Sequence, residues 1–218
     1  MNITLAIESL PALLRGAFVS LQIAAISCSI GLILGTILGL IYSGKNVLLR
    51  LIVGTYVTII RGTPMLIQIL IVYYVLPQFG MAIPPFWSAA LAIGLNSSAY
   101  ICNIVRAGIS SVSKGQIEAA KVLGLNTAQT TRYIILPQAI RVMLPALGNE
   151  FVTLLKDSSL ASIIGVVELS KEGSIIRSLT YDTITIFSIV ALIYLVMTSI
   201  LSLGIIKLEQ RMGRHVNH

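Results

Sequence analysis

Seven side chains carry most of the chemistry this sequence offers: Arg61, Asn96, Asn149, Glu150, Lys156, Asp157 and Ser158, each set among apolar neighbours. An ionisable group inside a membrane-spanning segment costs about 2.5–3.5 kcal/mol on insertion scales, so it faces a cavity or a partner. Lys156 and Asp157 are adjacent, and adjacent residues on a helix do not face each other, so these two have different partners. Such a set can hold charge and polarity; it does not make a reaction centre. The sequence has no Gly-x-Ser-x-Gly elbow and no His-Glu-x-x-His pair. Cys28 and Cys102 lie in apolar stretches without paired spacing and read as small packing residues. His215 and His218 sit in the tail and form no metal-ligand pattern. Neither a metal nor a cofactor bound by the chain itself is expected.

One stretch approaches a phosphate-binding loop. Gly39-Leu-Ile-Tyr-Ser-Gly44-Lys45-Asn46 has that spacing except at the last position, which must supply a hydroxyl to Mg²⁺; asparagine has none. It also closes an apolar run instead of following a strand. It reads as a glycine-terminated helix end with Lys45 at the membrane border.

The elements that must position these groups follow from hydropathy. The chain is 56% hydrophobic and 11% charged, with mean hydropathy +0.93. A soluble domain carries roughly a quarter charged residues, so this surface belongs in lipid. The net charge of +7 does not point to nucleic acid, because the basic residues form no dense cluster and border the apolar runs. The N-terminus lacks the basic region of a cleavable signal, so the first apolar stretch is expected to remain as a helix. A crossing needs about 20 apolar residues, and uncharged or nearly uncharged intervals predict spans at about 16–41, 52–77, 86–106, 146–169 and 183–206. The fourth is the weakest, since it contains Glu150, Lys156, Asp157 and Glu168. It is counted because an even number of spans would strand Lys207, Arg211 and Arg214 on the wrong side.

Basic residues then orient the chain. With the N-terminus outside and the C-terminus cytoplasmic, the inner segments hold Lys45, Arg50, Arg106, Lys114, Lys121, Arg132 and Arg141 besides the C-terminal group. The outer segments hold only Arg15, Lys171 and Arg177. An all-α integral membrane protein of about five helices, a single transmembrane domain over residues 1–218, is expected. Gly31, Gly35 and Gly39 form a small-residue stripe on the first span, which serves either a subunit contact or packing within one subunit. Pro64, beside Arg61, is expected to break the second span, for a polar pathway or for simple bending.

The connection at 107–145 is the one sizeable cytoplasmic element. Gln116–Leu123 favours a short helix with Glu118 near its positive end. Gly124 can end that helix at positive φ. Asn126 or Thr127 can cap a second helix, which Pro137 limits. Ala119 and Ala120 would offer a low surface against which another protein packs.

Glu118-Ala119-Ala120, then Gly124, then Ile134-x-Leu136-Pro137 resembles the EAA loop of bacterial ABC-importer permeases at every position of that pattern. Arg61-Gly-Thr-Pro64-Met-Leu-Ile-Gln68 resembles the second-span signature of the polar amino-acid permeases. Ala99-Tyr100, Arg106, Lys114-Gly-Gln116 and Leu136-Pro-Gln-Ala139 look like their central block. Lys156-Asp157-Ser158-Ser159-Leu160 is similar to their Lys-Asp-Thr-Ser-Leu motif. The likeness runs from the first span to about Gly165, and length and charge layout are most like the glutamine-type permeases. Asn103, Ala107 and Ser158 depart from the family's usual Glu, Gly and Thr.

The resemblance implies a type I ABC-importer permease fold in the bacterial inner membrane. It implies a coupling helix that docks in an ATP-hydrolysing subunit, with two such subunits holding ATP and Mg. A second permease chain, the same or similar, and an extracytoplasmic solute-binding protein complete the assembly. The cargo is a polar amino acid, glutamine first and a basic amino acid as the alternative. For a zwitterionic cargo, Asp157 would help hold the α-ammonium while Arg61 or another donor neutralises the carboxylate; an internal ion-pair network that fixes the bundle is the competing account. Asn96, Asn149 and Glu150 are further pathway candidates, and Gln68 is expected to bond between helices. From other classes, an ion-coupled secondary transporter and a non-transporting scaffold leave the elbow spacing unexplained.

Overall fold

The computed structural model describes residues 2–213, with side chains through residue 210. The side chains of Arg211, Arg214, His215 and His218 named above therefore lie outside the described set. Among the described residues every regular element is helical.

Helix α1 runs Ile3–Ser43, about 60 Å at 1.5 Å per residue, so it extends well before the expected 16–41 span. Asn2 caps it by accepting from Leu5 N–H at 3.2 Å. It stops at Gly44, whose φ of −72° is extended; the expected left-handed glycine stop is absent. Asn46 instead starts α2, Val47–Gly62, accepting from Leu49 N–H at 3.2 Å. Helix α3, Met65–Leu70, continues through a π turn at Ile71–Val75 and a 3₁₀ turn at Leu76–Phe79. Helix α4, Pro85–Ser110, begins on Pro85, where no intrahelical N–H is needed.

The expected 52–77 span is not one rod. Its two halves, Val47–Gly62 and Met65–Phe79, are bent by 102°. Pro64 has no N–H for the Ile60 carbonyl, and the Gln68 amide takes that carbonyl instead, at 2.7 Å.

The 107–145 connection contains α5, Lys114–Val122, and α6, Thr127–Thr130. From α6 the chain passes without a break through a π turn, Thr131–Ile135, into α7, Leu136–Asp157. Pro137 therefore does not limit the second helix. Leu136 N–H reaches back five residues to the Thr131 carbonyl, and this wider turn carries the helix into the proline. The same device precedes Pro77, where Leu76 N–H bonds the Ile71 carbonyl.

The 146–169 segment also departs from a single span. Helix α7 ends at Asp157, a 3₁₀ run covers Ser158–Ile164, and Gly165 turns the chain at φ +86°. Helix α8, Leu169–Thr180, follows, and α9, Thr183–Gly213, closes the bundle. Helices α1, α4 and α9 are long and apolar enough to cross a membrane, and the bent α2–α3 pair makes a fourth by length and composition. The charges on α7 keep it below that threshold. It nevertheless runs inside the bundle, packed on α4, α9 and α1.

The glycine stripe is resolved in favour of packing within the chain. A Cβ on Gly35 would lie 2.7 Å from Ile101 Cβ, and one on Gly39 would lie 2.6 Å from Val105 Cβ. Those glycines bring α1 against α4, the most extensive helix pair of the fold. Behind this seam Ile23, Ile69, Ile93, Leu154 and Leu155 form the main core.

Candidate functional site

A cavity of about 420 Å³ opens beside the bend at Thr63–Pro64, within the range of small-molecule sites. Its lining includes Arg61, Pro64, Asn96, Tyr100, Glu150 and Asp157. Three elements supply these groups. Helix α2 ends at Gly62, one residue past Arg61, because of Pro64. The small residues of α4 let Asn96 come close, and α7 presents Glu150, Thr153 and Asp157 at helical spacing.

Four of the groups at the cavity have partners in the fold. Asn96, buried, donates to Gln68 Oε1 at 3.0 Å. The Gln68 amide bonds Thr63 Oγ1 at 2.7 Å as well as the Ile60 carbonyl. Gln68 therefore joins helices as expected, fastening the bend to α4. Ser97 donates to Glu150 Oε1 at 2.8 Å. The Arg61 guanidinium lies over the Tyr100 ring, 4.9 Å from its centroid. One cation and two carboxylates thus share a cavity with neutral donors and acceptors, an arrangement suited to a solute carrying both charges.

Arg61, Asn96, Glu150 and Asp157 come together from distant sequence positions. Asn149, Lys156 and Ser158 are not among the residues lining the cavity. Asn149 and Lys156 are exposed on α7, and the buried Ser158 hydroxyl donates to the Leu155 carbonyl at 2.7 Å, closing the helix end. Tyr100, Ser97 and Thr153 were missed as site residues. A motif match at Tyr100 was the only available signal, because a serine or threonine in an apolar run has many packing roles.

A second missed feature is Glu168, fully buried. It accepts from Ser170 N–H at 2.9 Å and Lys171 N–H at 2.8 Å, capping α8. It also accepts from Ser20 Oγ at 3.1 Å and Tyr194 OH at 2.9 Å. This carboxylate ties α1, α8 and α9 together just beyond the 3₁₀ segment that follows Asp157.

The elbow is built from local rules. Ser113 starts α5, so Glu118 falls in its second turn, further from the positive end than the sequence implied. Gly124, at φ +79°, ends the helix: its N–H bonds the Lys121 carbonyl at 3.0 Å and Leu125 N–H bonds the Ala120 carbonyl at 3.0 Å. Asn126 and Gln129 then exchange bonds as a capping box, both at 2.9 Å. Gln138 donates to Gln116 Oε1 at 2.8 Å and holds α5 beside α7. Ala119 is exposed but Ala120 is 3% exposed, so the expected two-alanine outer surface is only half present. Ala120 faces inward, while Val122 and Leu123 project from the tip at 87% and 79% exposure. Ile134 is half-buried, and Leu136 and Pro137 are exposed at the start of α7.

Comparison with known proteins matches the family described as "Binding-protein-dependent transport system inner membrane component" over residues 31–214. The glutamine transport system permease protein GlnP of Escherichia coli (strain K12) is 37% identical over 206 residues, 94% of each chain. The arginine transport system permease protein ArtQ of Bacillus subtilis (strain 168) is 37% identical over 203 residues, 93% of each chain. Among solved structures, an amino acid ABC transporter with histidines superposes with a TM-score of 0.91 at 39% identity. That match covers 97% of this chain and 99% of the other.

Proposed function

This chain belongs to the binding-protein-dependent transport system inner membrane components, and we propose that it is the permease subunit through which a polar amino acid enters a bacterial cell. Its fold is that of a type I ABC-importer permease. The observation that carries the proposal is the cavity at the bend, where Arg61, Asn96, Glu150 and Asp157 converge. Discontinuous helices with exposed backbone at the membrane midplane are where transporters hold polar solutes. Arg61 takes the substrate carboxylate and Asp157 the α-ammonium.

Glutamine is the proposed cargo, and a relative that transports it supports this. A basic amino acid is the second reading, and a specific feature favours it. Two carboxylates face one guanidinium, leaving one negative charge for a cationic side chain. A relative that transports arginine supports that reading equally.

The chain supplies path and gate. Partner ATPase subunits hold ATP and Mg and carry out hydrolysis; no cofactor is assigned to this chain. The elbow from Glu118 to Pro137 docks in a cleft of the ATPase through Val122 and Leu123. Paired elbows, one from each of two permease chains, transmit closure of the two ATPases as a rigid-body switch. A solute-binding protein delivers cargo on the outer face of the inner membrane.

The test is uptake by the full complex in proteoliposomes, with labelled glutamine competed by a panel that includes arginine and lysine. ATP-dependent uptake of labelled glutamine that basic amino acids do not suppress supports the first reading; uptake of labelled arginine that glutamine does not suppress supports the second. Asp157→Asn should lower uptake at least tenfold with the complex intact. Uptake driven by an ion gradient without nucleotide would overturn the proposal.

A further inference from the structure

We propose that a groove on the outer face of α2 binds an anionic phospholipid of the cytoplasmic leaflet. The groove, about 550 Å³, is lined by Tyr42, Val47, Arg50, Leu51, Gly54 and Thr58 among others. Val47, Leu51, Gly54 and Thr58 recur at helical spacing and form one stripe of α2. The adjoining face, about 100° round the helix, buries Val53 and Val57 in the bundle. From Val47 to Thr58 the stripe is about 16 Å long at 1.5 Å per residue. One leaflet of a hydrocarbon core is about 15 Å deep. From Arg50, where a headgroup would sit, the stripe covers about 12 Å of an acyl chain laid along α2.

The polar end is cationic. Arg50 lines the groove near the start of α2. The Arg106 guanidinium lies 4.1 Å from the centroid of the Tyr42 ring, on the lining of the same groove. No Asp or Glu occurs between Glu8 and Glu118. Helix α2 packs chiefly on α4 and α1. The first has no carboxylate, and the second has only Glu8, near the opposite end of a 41-residue helix. The helices flanking Arg50 therefore offer it no anion, whereas a headgroup phosphate does. Basic pockets between helices on this side of a membrane hold such headgroups.

Gly54 keeps the groove open. A Cβ there would lie 3.2 Å from the Tyr42 hydroxyl, so a larger side chain would fill the notch between α1 and α2. A cation at the membrane border with an apolar stripe running from it toward the midplane reproduces the order of a phospholipid. A protein partner would have no need of that sequence.

The complex of permease and ATPase, in nanodiscs doped with a photoreactive phosphatidylglycerol, tests the proposal by peptide mapping. Labelling is expected between Tyr42 and Ile59. Arg50→Gln should reduce it about fivefold, the contribution of one basic side chain near an anionic leaflet. Arg50→Lys should retain most of it, and Gly54→Leu should reduce it with both arginines present. Equal labelling by a phosphatidylcholine analogue, or unchanged labelling of Arg50→Gln, would overturn the proposal. So would competition by soluble glycerol phosphate, which lacks the tails. A cross-link from Thr55→Cys to a second copy of the chain would show the groove to be an interface between permeases, and it too would overturn the lipid assignment.

Discussion

Gly124→Val isolates the elbow from the rest of the molecule. No atom outside the local backbone lies within 4 Å of where a Cβ would sit, so the substitution creates no clash and acts through φ alone. At φ +79° an L-residue costs about 1–2 kcal/mol, with a β-branched residue at the upper end. Two bonds depend on that φ, Gly124 N–H to Lys121 and Leu125 N–H to Ala120. A cost of this size lowers the ratio of bent to unbent elbow roughly 5–30-fold. If the ATPase binds only the bent form, its apparent affinity falls by up to the same factor. The assay is ATP-dependent uptake in proteoliposomes at fixed permease, with the ATPase subunit titrated. The half-saturating ATPase concentration should rise by up to this factor for Gly124→Val, while Gly124→Asn, which tolerates positive φ, stays within a few-fold of wild type. Wild-type titration of the valine variant, or equal damage from asparagine, would refute the reasoning.

Four other outcomes follow from single contacts. Gly35→Ala places a methyl 2.7 Å from Ile101 Cβ and should destabilise the α1–α4 seam by about 1–3 kcal/mol, read as a lower melting temperature in detergent. Glu168→Ala strands two half-buried backbone donors at the start of α8 and should cost about 2–4 kcal/mol; Tyr194→Phe, which removes one donor to the carboxylate, should cost about 1 kcal/mol. Gln68→Leu leaves the Ile60 carbonyl and Asn96 without their partner and should reduce uptake more than it reduces complex yield. Asp182, which caps α9 by accepting from Thr185 N–H at 2.9 Å, has its pKa held below the ordinary carboxylate value, first by that backbone bond. Its stabilising contribution is therefore complete above the ordinary carboxylate range and lost as pH falls through the depressed value. The protection factor of the Thr185 amide should drop there, and Asp182→Ala should abolish the transition.

Much of the architecture was legible because it depends on local composition. The apolar intervals located α1, α4 and α9, and the elbow was readable residue by residue: Gly124 ends one helix and Asn126 caps the next. The errors share a cause. Pro137 was read as a limit on the second elbow helix, yet the chain passes it through a π turn; Pro64 was read as a break, and the chain does turn there, by 102°. A proline removes one donor, and what replaces it depends on distant partners such as Gln68. The fourth span was drawn as one segment because hydropathy does not register a left-handed turn at Gly165. Ala120 was placed outside because its α5 register against α7 is not encoded in α5.

The amino-acid sequence by itself determined that this chain lies in a membrane, which way it runs, and that it bends at a cytoplasmic elbow. Each of these follows from transfer free energy, charge and capping, which act over a few residues. Only the tertiary structure decided which polar groups meet. Arg61, Asn96, Glu150 and Asp157 stand on three helices, while Lys156, one residue from Asp157, points elsewhere. A helix turns about 100° per residue, so an intramembrane charge is assigned to the cavity or away from it by helix rotation and packing, which no neighbouring residue specifies.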